Sequence, residues 1–131
     1  MLKRIIAFVS CIGCAAANAQ APWPNKPVRA VVPFAPGGGT DVMARILVPK
    51  LAEEFGQQFV IDNRTGAGGA IGNEIVVRAA PDGYTILIGA SSYASNAALY
   101  KLPYDPIKGF YAGTLLARGP FIAGIHPGVK A

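Results

Sequence analysis

Two clusters of glycine and one pair of serines are the residues of this chain best suited to chemistry. Residues 33–41 read PFAPGGGTD, residues 64–72 read RTGAGGAIG, and residues 90–96 read ASSYASN. A helix N-terminus presents unpaired N–H groups and a partial positive charge, and glycine lets an anion approach those groups closely. These turns therefore indicate a site for a small anion, while the alternative that they only make tight turns stays open.

Short apolar runs placed before each of these turns predict buried strands. The runs cover residues 28–34 (VRAVVPF), 58–63 (QFVIDN) and 84–89 (YTILIG). These runs are too continuously apolar for a sheet with one face in water. After each of the first two runs, apolar residues recur at helical spacing. The order of strand, turn and helix predicts an α/β fold with a doubly wound, mainly parallel sheet. In such a sheet the three turns lie at the same carboxyl edge.

The first glycine turn leads into a predicted helix. Thr40 or Asp41 is expected to begin this helix and Gly56 to end it. Pro49 lies inside it and removes a backbone donor, so we expect a kink or an early end there. The residues predicted for its apolar face are Val42, Met43, Ile46, Leu47, Leu51 and Phe55.

The later elements are predicted in the same way. A second helix is expected to end at the turn 81–83, and a short third helix around 97–100 is expected to follow the polar turn 90–96. Strands are expected at 114–117 and 121–125. The residues predicted for the apolar face of the second helix are Ile71, Ile75, Val76 and Ala79.

The sequence lacks the motifs of nucleotide binding and of catalysis. No Gly-Lys-Ser or Gly-Lys-Thr is present, and GxGxxG fits neither from Gly37 nor from Gly66. His126 is the single histidine, and the carboxylates are scattered, which disfavours a catalytic triad and a metal site. We therefore predict no catalytic residue, metal or cofactor. A small α/β enzyme or nucleotide-binding module that uses the turns for phosphate stays as the alternative.

The first nineteen residues have the pattern of a secretory signal. Lys3 and Arg4 precede an apolar stretch over 5–17, and Ala17-Asn18-Ala19 has the form of a cleavage site. Cleavage there would remove both cysteines and lower the net charge from +5 to +3, too small an excess to predict nucleic-acid binding. The alternatives are a lipoprotein signal at Ile12-Gly13-Cys14 and a buried core helix.

Four stretches of the chain carry a family resemblance. They are WPNKPVRAVVPFAPGGGTDVMAR (23–45), VIDNRTGAGGAIGNEIV (60–76), PDGYTILIG (81–89) and ALYKLPYDPIKGF (98–110). In order and spacing they resemble the Bug proteins, the extracytoplasmic solute-binding proteins of tripartite tricarboxylate transporters. The resemblance implies a periplasmic binding protein fold of type II and a monomeric, non-enzymatic protein. Such a protein captures a di- or tricarboxylate, or an acidic amino acid, and passes it to a membrane permease.

The resemblance also implies which residues contact the ligand, because in the family the turns that follow the strands hold its carboxylate. The helix-terminus argument selects the same turns from the residues themselves. Asp41 is expected either to hold the first turn in shape or to meet a ligand amine. The implied ligand-binding residues are Pro36, Gly37, Gly38, Gly39 and Asp41 in the first turn, Asn63, Gly66, Ala67, Gly68 and Gly69 in the second, and Ser91 in the third.

Members of this family are much longer than this chain and close two lobes around the ligand. We therefore expect residues 1–19 to be the signal peptide and residues 20–131 to form the N-terminal lobe alone, with the second lobe absent. A truncated form of this kind is expected to bind weakly, because one wall cannot exclude water from the ligand. A gene fragment without function is the remaining alternative.

Overall fold

A computed structural model describes residues 22–119 and Gly128. The predicted signal peptide, with Cys14, and the predicted strand 121–125 and His126 lie outside these residues. Within the described part, no helix is long and apolar enough to cross a membrane. The elements are β1 (Val28–Val32), α1 (Gly39–Phe55), β2 (Phe59–Asn63), a 3₁₀ turn (Ala67–Gly69), α2 (Ala70–Val77), β3 (Thr85–Leu87) and α3 (Ser92–Leu99).

The three strands form one parallel sheet in the order β2-β1-β3. Val28 of β1 lies opposite Phe59 of β2, and Arg29 of β1 lies opposite Thr85 of β3. α1 packs on β1 and β2, whereas α2 packs on β1 and β3. The connection from β1 to β2 and the connection from β2 to β3 run in opposite directions across the sheet, and right-handed crossovers then place α1 and α2 on opposite faces. The predicted doubly wound α/β fold is confirmed.

The core is centred on β1, because this strand has a neighbour on each side and a helix over each face. Val28, Ala30, Val31 and Val32 are fully buried, as the continuous apolar run predicts. Ala44 and Val48 of α1, Phe59 of β2 and Ile88 complete the buried apolar set.

α1 differs from its prediction in two ways. The helix continues through Pro49 to Phe55, so the expected early end is wrong, and Gly56 ends it in a left-handed conformation with φ of 62°. Its buried residues are Asp41, Ala44 and Val48, at helical spacing, while Val42 and Ile46 of the predicted face are exposed. The small side chains of Ala44 and Val48 allow the close approach to the sheet that fixes this rotation.

The later elements also depart from their predictions. α2 ends at Val77, before the turn 81–83, and α3 begins at Ser92, so most of the predicted turn 90–96 is helical. Alanines in this segment favour the helix, and the Asn96 side chain anchors it. Residues 114–117 form no strand, because they pair with neither edge of the described sheet. Ile71 of the predicted α2 face is exposed.

Candidate functional site

The first glycine turn uses some of its N–H groups internally and leaves others free. Gly37, with φ of 83°, donates its N–H to Asp41 Oδ2 at 2.8 Å, and Gly38 donates to the Ala35 carbonyl at 3.2 Å. The N–H groups of Gly39 and Thr40, in the first turn of α1, have no acceptor among the described residues. They are therefore available to an anion.

Asp41 fixes the shape of this turn from behind. Its carboxylate is fully buried and accepts hydrogen bonds from Arg45 Nε at 2.7 Å, from the Gly37 N–H at 2.8 Å and from Asn63 Nδ2 at 2.9 Å. Those three donors, Arg45 foremost, lower the pKa of Asp41 to about 2. Asn63 Nδ2 also donates to the Phe34 carbonyl at 3.0 Å. Because both carboxylate oxygens are engaged by the protein, the geometry matches the shaping role rather than a contact with a ligand amine.

The second glycine turn has four consecutive residues with positive φ. Gly66, Ala67, Gly68 and Gly69 have φ values of 129°, 48°, 63° and 101°. For Ala67, which carries a Cβ, this conformation costs about 1–2 kcal/mol. The Gly68 carbonyl accepts hydrogen bonds from Asn96 Nδ2 at 2.9 Å and from Ser92 Oγ at 3.2 Å. The second turn is thereby fastened to α3.

A cavity of about 720 Å³ opens at the carboxyl edge of β1 and β3. The connection after β1 turns towards β2, away from β3 on the other side of β1, so the cavity lies where ligands bind in open α/β sheets, at the carboxyl ends of strands beside a change of direction in the chain. We call it the switch-point cavity. Its lining consists of Gly39, Thr40, Met43, residues 87–91 and residues 114–119.

The electrostatics of the switch-point cavity favour an anion. The N-termini of α1, at Gly39 and Thr40, and of α3, at Ser91, both border it. Thr40, Ser91 and Thr114 supply hydroxyl groups, and Arg118 is the one charged residue of the lining. A second cavity, of about 590 Å³, is lined by the end of α2, the turn that follows it, β3 and part of the segment 109–116, and has no charged residue in its lining.

The structure brings together only part of the predicted site. Gly39 and Ser91 line the switch-point cavity, whereas Pro36, Gly37 and Gly38 lie in the turn beside it. Asp41 and Asn63 stand behind this turn. The second turn lies outside the lining and reaches the cavity only through α3. Ligand contact by all of these residues stays a prediction.

Sequence reasoning missed Thr40 and Arg118 as lining residues. Thr40 could have been found, because it follows the glycines in the first turn of a predicted helix, where free N–H groups occur. Arg118 carried no such signal, since it lies in an irregular segment with no periodicity to place it at this edge. The sequence also did not reveal that packing requires glycine at position 72. A Cβ at Gly72 would lie 2.7 Å from Pro33 Cβ and 2.8 Å from the Arg64 carbonyl oxygen.

The sequence also matches a known family. The family model described as the tripartite tricarboxylate transporter family receptor matches residues 43–128. The chain belongs to this receptor family. Protein BugT of Bordetella pertussis is 42% identical over 82% of this chain and 33% of its own length. The chain thus spans about a third of the length of the curated relatives it matches.

Solved structures of related proteins have the same architecture. The periplasmic binding protein BugD is 43% identical with a TM-score of 0.62, over 67% of this chain and 30% of that one. Rpa4515 of R. palustris with adipate is 42% identical with a TM-score of 0.61, over 64% and 29%. MatC of Rhodopseudomonas palustris with bound malate is 40% identical with a TM-score of 0.59, over 66% and 30%. The receptor family therefore consists of periplasmic binding proteins, not enzymes, and the predicted family, fold and class are confirmed.

Proposed function

We propose that this chain contributes one wall of an extracytoplasmic solute-binding protein, which captures a small carboxylate at the switch-point cavity. One observation carries the proposal: the free N–H groups of Gly39 and Thr40 and the start of α3 at Ser91 border one cavity. Two helix N-termini favour a negative charge, and the lining holds no carboxylate to repel it.

The ligand class that we propose is a dicarboxylate. Adipate and malate, which accompany two of the related structures, both carry two carboxylates. An acidic amino acid is supported less well, because its ammonium group would find no carboxylate in the lining and the buried Asp41 is already saturated.

The cellular setting follows from the same proposal. Residues 1–19 act as a signal peptide that is cleaved after Ala19 and directs the protein to the periplasm. Residues 20–131 correspond to the N-terminal lobe of the longer relatives, acting as a monomer. The partner is the membrane permease of a tripartite tricarboxylate transporter, to which the bound ligand is passed. The family match supports this setting.

The substitution Gly39→Val tests the site directly. A Cβ at Gly39 meets no atom within 4 Å, so a side chain can begin there without a clash, on the lining of the cavity. We expect the affinity for adipate and malate to fall by about tenfold or more, because the side chain covers the free N–H groups. The measurement is an NMR titration of the ¹⁵N-labelled chain, which detects millimolar binding.

Gly113→Val is the matched control. Gly113 also has open space at its Cβ, but it lies outside the lining of the switch-point cavity. This variant should bind as the wild type does, with an unchanged circular dichroism spectrum. Equal affinity of Gly39→Val and wild type would remove the N-terminus of α1 from the site.

A further inference from the structure

Arg118 is the charged residue that the switch-point cavity offers to a ligand. It lies in the irregular segment 114–119, which lines the cavity together with the N-terminus of α1, and the rest of the lining is neutral. Its guanidinium can donate two parallel hydrogen bonds to one carboxylate, which a backbone N–H group cannot do. This residue was not selected by any argument from the sequence.

The ion pairs of the chain set Arg118 apart from the other arginines. Four of the five described arginines are paired with carboxylates: Arg29 and Arg64 with Asp62, Arg45 with Asp41, and Arg78 with Glu74. All seven acidic side chains of the sequence lie in the described part, and none of them pairs with Arg118. Arg118, which forms no ion pair with an acidic side chain and lies on an anion-favouring cavity, is available to a ligand carboxylate.

We propose that Arg118 determines specificity for dicarboxylates by pairing with the second carboxylate of the ligand. The first carboxylate occupies the free N–H groups of Gly39 and Thr40, and the second reaches the wall that carries Arg118. This inference rests on the proposed function, because it assigns one end of the ligand to each wall of the same cavity. A monocarboxylate fills the first position only and gains nothing from Arg118.

The test compares ligands that differ only in the second carboxylate. Adipate and hexanoate are titrated into the full ¹⁵N-labelled chain, as the wild type and as Arg118→Gln and Arg118→Lys. We expect Arg118→Gln to weaken adipate about three- to fivefold, the size expected for a solvent-exposed ion pair, and to leave hexanoate unchanged. Arg118→Lys should recover part of the loss, because it keeps the charge but not the planar fork.

Lys101→Gln is the charge-matched control, since Lys101 is exposed, unpaired among the described residues and outside the cavity lining. Its adipate affinity should equal that of the wild type. Equal weakening of adipate and hexanoate in Arg118→Gln, or no weakening of adipate, would overturn the assignment while leaving the proposed site intact. A wild-type chain that binds neither ligand would overturn the proposed function and the assignment with it.

Discussion

At the scale of single residues, Asp41 controls the first turn through its negative charge. Arg45, the Gly37 N–H and Asn63 hold its pKa at about 2, below the ordinary value of 3.8. A carboxyl group whose pKa is lower in the folded state stabilises the fold above its unfolded pKa and loses that contribution as the pH falls through its folded pKa. The contribution of Asp41 is therefore complete above about pH 5 and is lost between about pH 4 and pH 2.

The variant Asp41→Asn removes this charge while keeping the shape. At pH 7 we expect the Tm to fall by about 5–10 °C, because an amide cannot accept from all three donors. The difference in Tm between wild type and variant should shrink as the pH falls from about 4 to about 2, where the wild-type carboxyl becomes protonated. Thermal melts from pH 2 to pH 7 measure it.

Glu53→Gln provides the control for Asp41→Asn, because Glu53 is exposed and forms no ion pair with a described residue. Its Tm should stay close to that of the wild type at every pH. A difference between wild type and Asp41→Asn that stays constant down to pH 2 would contradict the role given to the charge.

At the scale of elements, α1 contains a proline that we expect to lower the stability of the helix. Pro49 is exposed in the interior of the helix and cannot donate a hydrogen bond to the carbonyl one turn earlier. We expect Pro49→Ala to stabilise the chain by about 1–3 kcal/mol, since alanine restores this bond and has a higher helix propensity. Urea unfolding followed by circular dichroism gives the difference in the free energy of unfolding.

Pro103→Ala is the control for this prediction, because Pro103 is exposed and lies outside the helices and strands. There the substitution only increases the conformational entropy of the unfolded chain, so the free energy of unfolding should stay equal or fall slightly. If Pro49→Ala were no more stable than the wild type, the missing hydrogen bond would not destabilise α1.

The elements that could be predicted are those whose signals are local. The apolar run of β1 and the left-handed Gly56 after α1 specify structure through neighbouring residues alone: the end of α1 was placed correctly, and β1 begins at Val28 as predicted but ends at Val32, two residues early. The rotation of α1 could not be predicted, because it depends on how Ala44 and Val48 fit the sheet. The segment 114–117 was wrongly predicted as a strand, because apolar content does not reveal whether a partner strand is within reach.

At the scale of the whole molecule, the switch-point cavity lies between the buried central strand and an exposed segment without regular secondary structure. One side belongs to the junction of β1 and α1, where every residue of β1 except Arg29 is fully buried and the strand is paired on both sides. The other side is the exposed segment 114–119, which belongs to no helix or strand. The glycine patterns could therefore predict the first side of the site, whereas the second depends on long-range placement.

Hydrogen exchange of the full chain measures how much more stable the first side of the cavity is than the second. We expect the amides of residues 30–32 to exchange at least about a hundredfold more slowly than those of residues 111–119, because buried paired strands open only by global unfolding. Saturating adipate should slow exchange at Gly39 and Thr40 and at residues 89–91, which border the cavity. Slowing confined to the second glycine turn, residues 66–69, would instead place the carboxylate at α2 and contradict the site described by the switch-point cavity.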